Sequence, residues 1–147
     1  MGLFQKKQPS PAEDTRWEAL NAEYQNYRRR TARELEQAQG RAARQTVQAF
    51  LPIYDDLTRA LESPCADEAY RLGVEMILKN LLHTLEQLGA VPMDSKGKIF
   101  NPTYHEAAEH ITDPKYRTEE IARVLQVGFL MDDEVIRHAR VVVANCE

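Results

Sequence analysis

The chain has no apolar run approaching the roughly 20 residues that cross a bilayer, and residues 1–11 lack the apolar centre of a secretory signal. A cytoplasmic protein without membrane contact is expected. It has only two cysteines in 147 residues, Cys65 and Cys146, far apart and without tight metal spacing to His83 or His138, so reduced thiols are the simplest reading. Nor has it an excess of positive charge. The formal net charge of −4 argues against nucleic acid as the main partner, because phosphate binding is driven by cations that release counterions.

Chemical constellations are equally scarce. In His105-Glu106-Ala107-Ala108-Glu109-His110 the two histidines stand five apart, roughly 140° around a helix and on opposite faces of a strand, unlike the i, i+4 pair of a zinc protease. Asp94-Ser95-Lys96-Gly97-Lys98 has Gly-Lys without the spaced glycines of a phosphate-cradling loop and reads as a turn. No Ser/His/Asp or Cys/His spacing stands out. No catalytic, metal or cofactor-binding residue is therefore assigned, and the chain is not expected to be an enzyme.

What is present is 43% hydrophobic and 29% charged residues, the balance of a soluble chain with a core, and one stretch that organises the rest. Over 13–51, apolar or small residues recur at Trp17, Leu20, Tyr24, Tyr27, Thr31, Leu35, Ala38, Ala42, Thr46 and Ala49. This is a seam rather than a core face. Its seven-residue spacing gives way to an eleven-residue one from Tyr27, a mixture that predicts a nearly straight helix pair. At the α-helical rise the stretch would span about 58 Å. Ala and Thr fill half of the seam, so a second copy of the chain is the expected partner.

The flanking segments complete the domain plan. Residues 1–12, with Lys6, Lys7, Pro9 and Pro11, read as a disordered tail. Arg28, Arg29, Arg30 and Arg33 form a basic collar, read as a solvated face or as a docking surface for an acidic partner. Pro52 predicts a kink or break, after which Ile53, Leu57 and Leu61 continue a helical face to Glu62. A second helix over about 66–88 carries Val74, Ile77, Leu78, Leu81, Leu82, Leu85 and Leu88 at i, i+3, i+4 spacing, and Gly89 suits a left-handed cap. The hairpin 52–89 is then half of a dimeric four-helix bundle. Residues 90–147 read as a small β-rich domain. Strands are expected over 119–129, with Ile121, Arg123, Leu125, Val127 and Phe129 on alternate positions, and over 135–144, with a third over 107–112.

Four stretches then carry a resemblance: Tyr27-Arg28-Arg29-Arg30-Thr31; Phe50 to Leu61 across Pro52; Phe100-Asn101-Pro102 with His105-Glu106-Ala107; and Val124 to Phe129 continuing to Val135-Ile136-Arg137 and Val141-Val142-Val143. The chain resembles the GrpE family, the nucleotide exchange factors of DnaK-type heat-shock chaperones. The resemblance implies an α+β homodimer: a long coiled-coil-like helix, a dimeric four-helix bundle and a small C-terminal β domain. That domain would bind the chaperone's ATPase domain and open its cleft so that ADP leaves. Family-type contacts fall on Arg28, Arg59, Gly73, Leu125 and Val143, while Phe100, Asn101, Pro102, His105, Gly128 and Arg137 match the motifs that define the fold. The chain departs from the family pattern at Gln37, where Lys is frequent, and at Glu134, which stands at a basic contact position. The competing reading is a scaffold or DNA-binding coiled coil using the Arg28 to Arg33 collar, which would lie inside the seam rather than ahead of it as in basic zippers.

Overall fold

The computed structural model describes residues 11–146, so the expected tail lies outside the described residues up to position 10. Two helices come first, α1 (Pro11–Glu62) and α2 (Glu68–Gln87). Six strands follow: β1 (Ala90–Pro92), β2 (His105–Ile111), β3 (Glu120–Gln126), β4 (Phe129–Met131), β5 (Glu134–Arg137) and β6 (Ala139–Ala144). The architecture is α+β, as expected. None of the described helices is long and apolar enough to cross a membrane.

The chain divides into two compact units, one ending at Arg41 and one beginning at Ala42. In the first, the described side chains of residues 11–39 are all exposed, with Trp17 at 68% and Leu35 at 59%. Its interactions are local: Arg30 pairs with Glu34 one turn on at 3.6 Å, and the Arg28 and Arg30 guanidinium groups lie 5.9 and 6.0 Å from the Tyr24 and Tyr27 rings. Such exposed pairs contribute only about 0.3–0.5 kcal/mol each.

In the second unit, no break occurs at Pro52. The proline stands on an exposed face of α1, so the hydrogen bond it withholds from the Gln48 carbonyl is lost where water can replace it. Beside it Val47, Leu51 and Tyr54 face inward and join Leu85, Ala90 and Phe129 in one core cluster. Tyr54 meets Phe129 edge to face at 5.1 Å. Each fully buried large side chain contributes roughly 1.5–3 kcal/mol. Helix α2 begins at Asp67, whose carboxylate accepts the Tyr70 N–H at 3.1 Å, and ends before Gly89, which takes the expected left-handed conformation at φ +90°.

In the β region the two expected long strands pair with each other antiparallel, as β4 with β5 and β3 with β6. Each expected long strand is cut in two, at Val127-Gly128 and at His138, and the halves join different sheets. One sheet has the order β1-β4-β5 and the other β2-β6-β3. The β4–β5 hairpin is closed by Asp132 and Asp133, both at positive φ (51° and 62°), the left-handed pair that a two-residue hairpin loop requires. In the second sheet β6 is central, antiparallel to β3 and parallel to β2. Register shifts at Ile121/Arg123 and Val124/Gln126 break the expected alternation, so Ala122 is buried beside Ile121 while Leu125 turns out to solvent. Ile121, Ala139, Val141 and Val143 form the second core cluster. Near the end of β6, Asn145 clamps the 112–118 loop: its side-chain N–H groups donate to the Asp113 and Tyr116 carbonyls, both at 2.8 Å, and its oxygen accepts the Asp113 N–H at 3.0 Å.

Candidate functional site

A groove of about 460 Å³ runs between the last turns of α1 and strand β3, within the second unit. Arg59 and Asp55 stand on its helical wall, Leu125, Gln126 and Arg140 on its sheet wall. Arg59 is exposed and paired with Asp56, three residues earlier on the same helix. Leu125 is 45% exposed, an apolar side chain that the bulged register pushes outward. Two residues expected to make contacts, Arg59 and Leu125, distant in sequence, thus border one concavity.

Asp55 holds the two walls together. Its carboxylate accepts two parallel bonds from the Arg137 fork, at 2.7 and 2.8 Å, and a third from the Gln126 amide at 2.8 Å. Arg137 also donates to the Val127 carbonyl and lies 5.7 Å from the Phe129 ring centre. A forked, charge-assisted pair with most of its surface removed from water has a strong directional preference. The strand switch beside it depends on Gly128: a Cβ there would stand 2.5 Å from the Ala139 backbone nitrogen and 2.9 Å from the Arg137 carbonyl oxygen. Only a residue without a side chain fits.

His105 anchors the opposite end of the module. Its Nδ1 accepts the Asn101 backbone N–H at 3.0 Å, which leaves the ring proton on Nε2, 3.1 Å from the Ser95 hydroxyl oxygen. Burial first, then the electrostatic influence of Lys98 and of His138, lowers the His105 pKa below the ordinary histidine value. In this tautomer Nε2 donates to Ser95 and cannot take its proton, so the pair is not an activated nucleophile. Asn101 completes the turn, accepting the Thr103 N–H on its side chain and the Tyr104 and His105 N–H groups on its carbonyl. Phe100 packs on the second core cluster, and Pro102 is exposed within the turn.

The remaining expected residues are placed apart. Gly73 is on an exposed part of α2, where an added Cβ would meet nothing within 4 Å. Arg28 belongs to the first unit. Val143 is 0% exposed inside the second core cluster, so its side chain packs the sheet rather than presenting a contact surface. Glu134 is engaged by Arg44 of α1. Asp55 and Ser95 were not singled out by the sequence, since their partners Arg137 and His105 are brought to them only by folding. Among the described residues, no three His, Cys, Asp or Glu side chains gather to hold a metal ion.

A long helix with an unburied apolar seam, a second helix and two three-stranded sheets under a grooved surface make this an α+β chain of the kind first expected. A family model described as GrpE matches residues 5–145, and the chain belongs to the GrpE family. It is 41% identical over 126 residues to Protein GrpE of Clostridium acetobutylicum, covering 86% of this chain and 62% of that relative. Protein GrpE of Clostridium beijerinckii is 38% identical over 126 residues (86% and 60%), and that of Parageobacillus thermoglucosidasius 34% over 135 residues (90% and 60%). The chain spans about three fifths of the length of these relatives.

Proposed function

We propose that the chain is a co-chaperone that binds the ATPase domain of a DnaK-type chaperone and speeds the release of ADP. The observation that carries this reading, beside family membership, is the groove that brings exposed Arg59 and Leu125 together. Leu125 offers an apolar anchor, with Arg59 and Arg140 as cations around it. The work is done by binding energy alone. If the groove fits the open form of the chaperone's cleft better than the closed form, the factor weakens ADP, and the nucleotide weakens the factor by the same ratio. The protein itself makes and breaks no bond.

The same reading has the chain act as a cytoplasmic homodimer. Trp17, Leu20, Tyr24, Tyr27 and Leu35 on α1, with Tyr70, Leu72, Met76 and Ile77 on α2, are large apolar side chains that stay exposed among the described residues. A second copy would cover them, the 13–51 helices pairing and the 52–89 segments completing a four-helix bundle. The β region 90–147 then supplies the sheet wall of the groove, and the end of α1 its helical wall.

The test is the release of a fluorescent ADP analogue from a DnaK-type chaperone. Addition of this protein should accelerate it; a folded dimer that leaves the rate unchanged overturns the proposal.

A further inference from the structure

A second cavity, of about 400 Å³, opens beside the His105 turn and is not part of the groove. His105, Ser95, Lys98, Asn101 and Tyr104 are among the residues that line it. The buried ring therefore has empty space on one flank and two hydrogen bonds on the other side of the balance. We propose that this turn is a pH-operated latch of the β region: acidification puts a proton on Nδ1, the ring turns into the cavity, and the 101–104 turn and the Ser95 loop are released together.

The mechanism follows from what each partner is able to do. The Asn101 backbone N–H only donates, so it requires an unprotonated Nδ1. Once Nδ1 carries a proton, two donors face each other at bonding distance and the contact becomes repulsive. Ser95, 1% exposed, has its hydroxyl on the same ring and loses its partner when the ring leaves. The turn also holds the start of the second sheet, because the Tyr104 carbonyl accepts the Ala139 N–H at 3.0 Å and His105 pairs with Ala139. Release would therefore be felt where β2 meets β6.

The surrounding charges set the direction. Lys98 in the 93–99 loop and His138 between β5 and β6 both oppose a proton on the buried ring, whereas Asp94, on the cavity wall, would favour the imidazolium once it has swung out. Tyr104 of the turn contributes a neutral ring 6.4 Å away, and the neighbouring Glu106 is engaged with Arg140 of β6. With the folded-state pKa lowered, the folded protein binds the proton less readily than the unfolded chain. The stabilisation is thus complete above about pH 6.5, the ordinary histidine value, and is lost as pH falls through the lowered one.

The test uses the whole chain and needs no chaperone. Ring nitrogen shifts should give the Nε2–H tautomer for His105 at neutral pH. Between about pH 7.5 and about pH 5, the exchange protection of the Asn101 amide should drop by about tenfold or more, while that of Val142 in the central strand holds. In His105→Gln, whose amide is able to accept from Asn101 and donate to Ser95 without titrating, Asn101 protection should be independent of pH. An Nδ1–H tautomer at neutral pH, or Asn101 protection unchanged down to about pH 5, overturns the latch whether or not the variant folds.

Discussion

Residues 11–41 and residues 42–146 use apolar side chains in opposite ways. The first segment carries Trp, Tyr and Leu at helical spacing and buries none of them among the described residues; the second closes two clusters around Leu51, Phe129 and Val141. The same helix α1 takes part in both. Its helical pattern is therefore no measure of its stability, which comes from whatever covers the apolar face. In the second unit Val47, Leu51 and Tyr54 of the helix find their cover on the same chain, although Phe50 and Ile53 stay exposed. In the first no described residue supplies it, and the proposed dimer would.

The contrast is open to attack by substitution. The largest effect is expected for Gly128→Ala: the methyl group would overlap the Ala139 backbone, and the 42–146 unit should lose about 3 kcal/mol in denaturant unfolding. The helical signal of residues 11–41 should be spared. Next comes Arg137→Ala, which leaves the Asp55 carboxylate without its fork and should cost about 2–3 kcal/mol. A double-mutant cycle with Asp55→Ala measures the coupling, and additivity would mean that the pair is not the lock described.

Under the proposed function, Leu125→Ala should lower the affinity for a DnaK-type chaperone by about tenfold, equivalent to about 1.4 kcal/mol, while changing thermal stability little because the side chain is already exposed. A large loss of stability would make Leu125 structural. Trp17→Ala sharpens the comparison itself: in an isolated chain it changes stability by less than about 0.5 kcal/mol, whereas in a dimer the helix melt should shift and depend on protein concentration. The smallest effect is expected for Glu120→Gln. The Arg117 backbone N–H, then its side chain, lowers the Glu120 pKa, so this contribution is present above the ordinary carboxylate range and fades as pH falls through the lowered value. The variant should show a slightly flatter acid limb in a melting-temperature profile.

Periodicity made the helices legible, because α1 and α2 repeat their apolar residues every three to four positions over many turns. The two C-terminal strands were legible both as apolar segments and as antiparallel partners, but not as belonging to two separate sheets. Gly128 is a glycine in a strand pattern and so suits a bend, but nothing in the run from Ile121 to Phe129 marks the two register shifts or shows that the chain changes sheet there, since these depend on what approaches from Ala139 and Arg137. Leu125 and Val143 illustrate the same limit. Both are apolar residues in strands, yet one is pushed to the surface and the other sealed in the core. The Asp55–Arg137 fork joins residues 82 apart, a distance at which one sequence carries no pairing signal. The left-handed backbone of Asp132 and Asp133 shows only in three dimensions.

Asn145 gives the molecule a hasp close to its far end. One side chain fastens the 112–118 loop through three bonds, so a protease cut just before that residue would unhook a segment well removed in sequence while leaving every strand nominally in place. Trimming at this tail would then register first as new digestion sites between Asp113 and Arg117, long before any change in helix content.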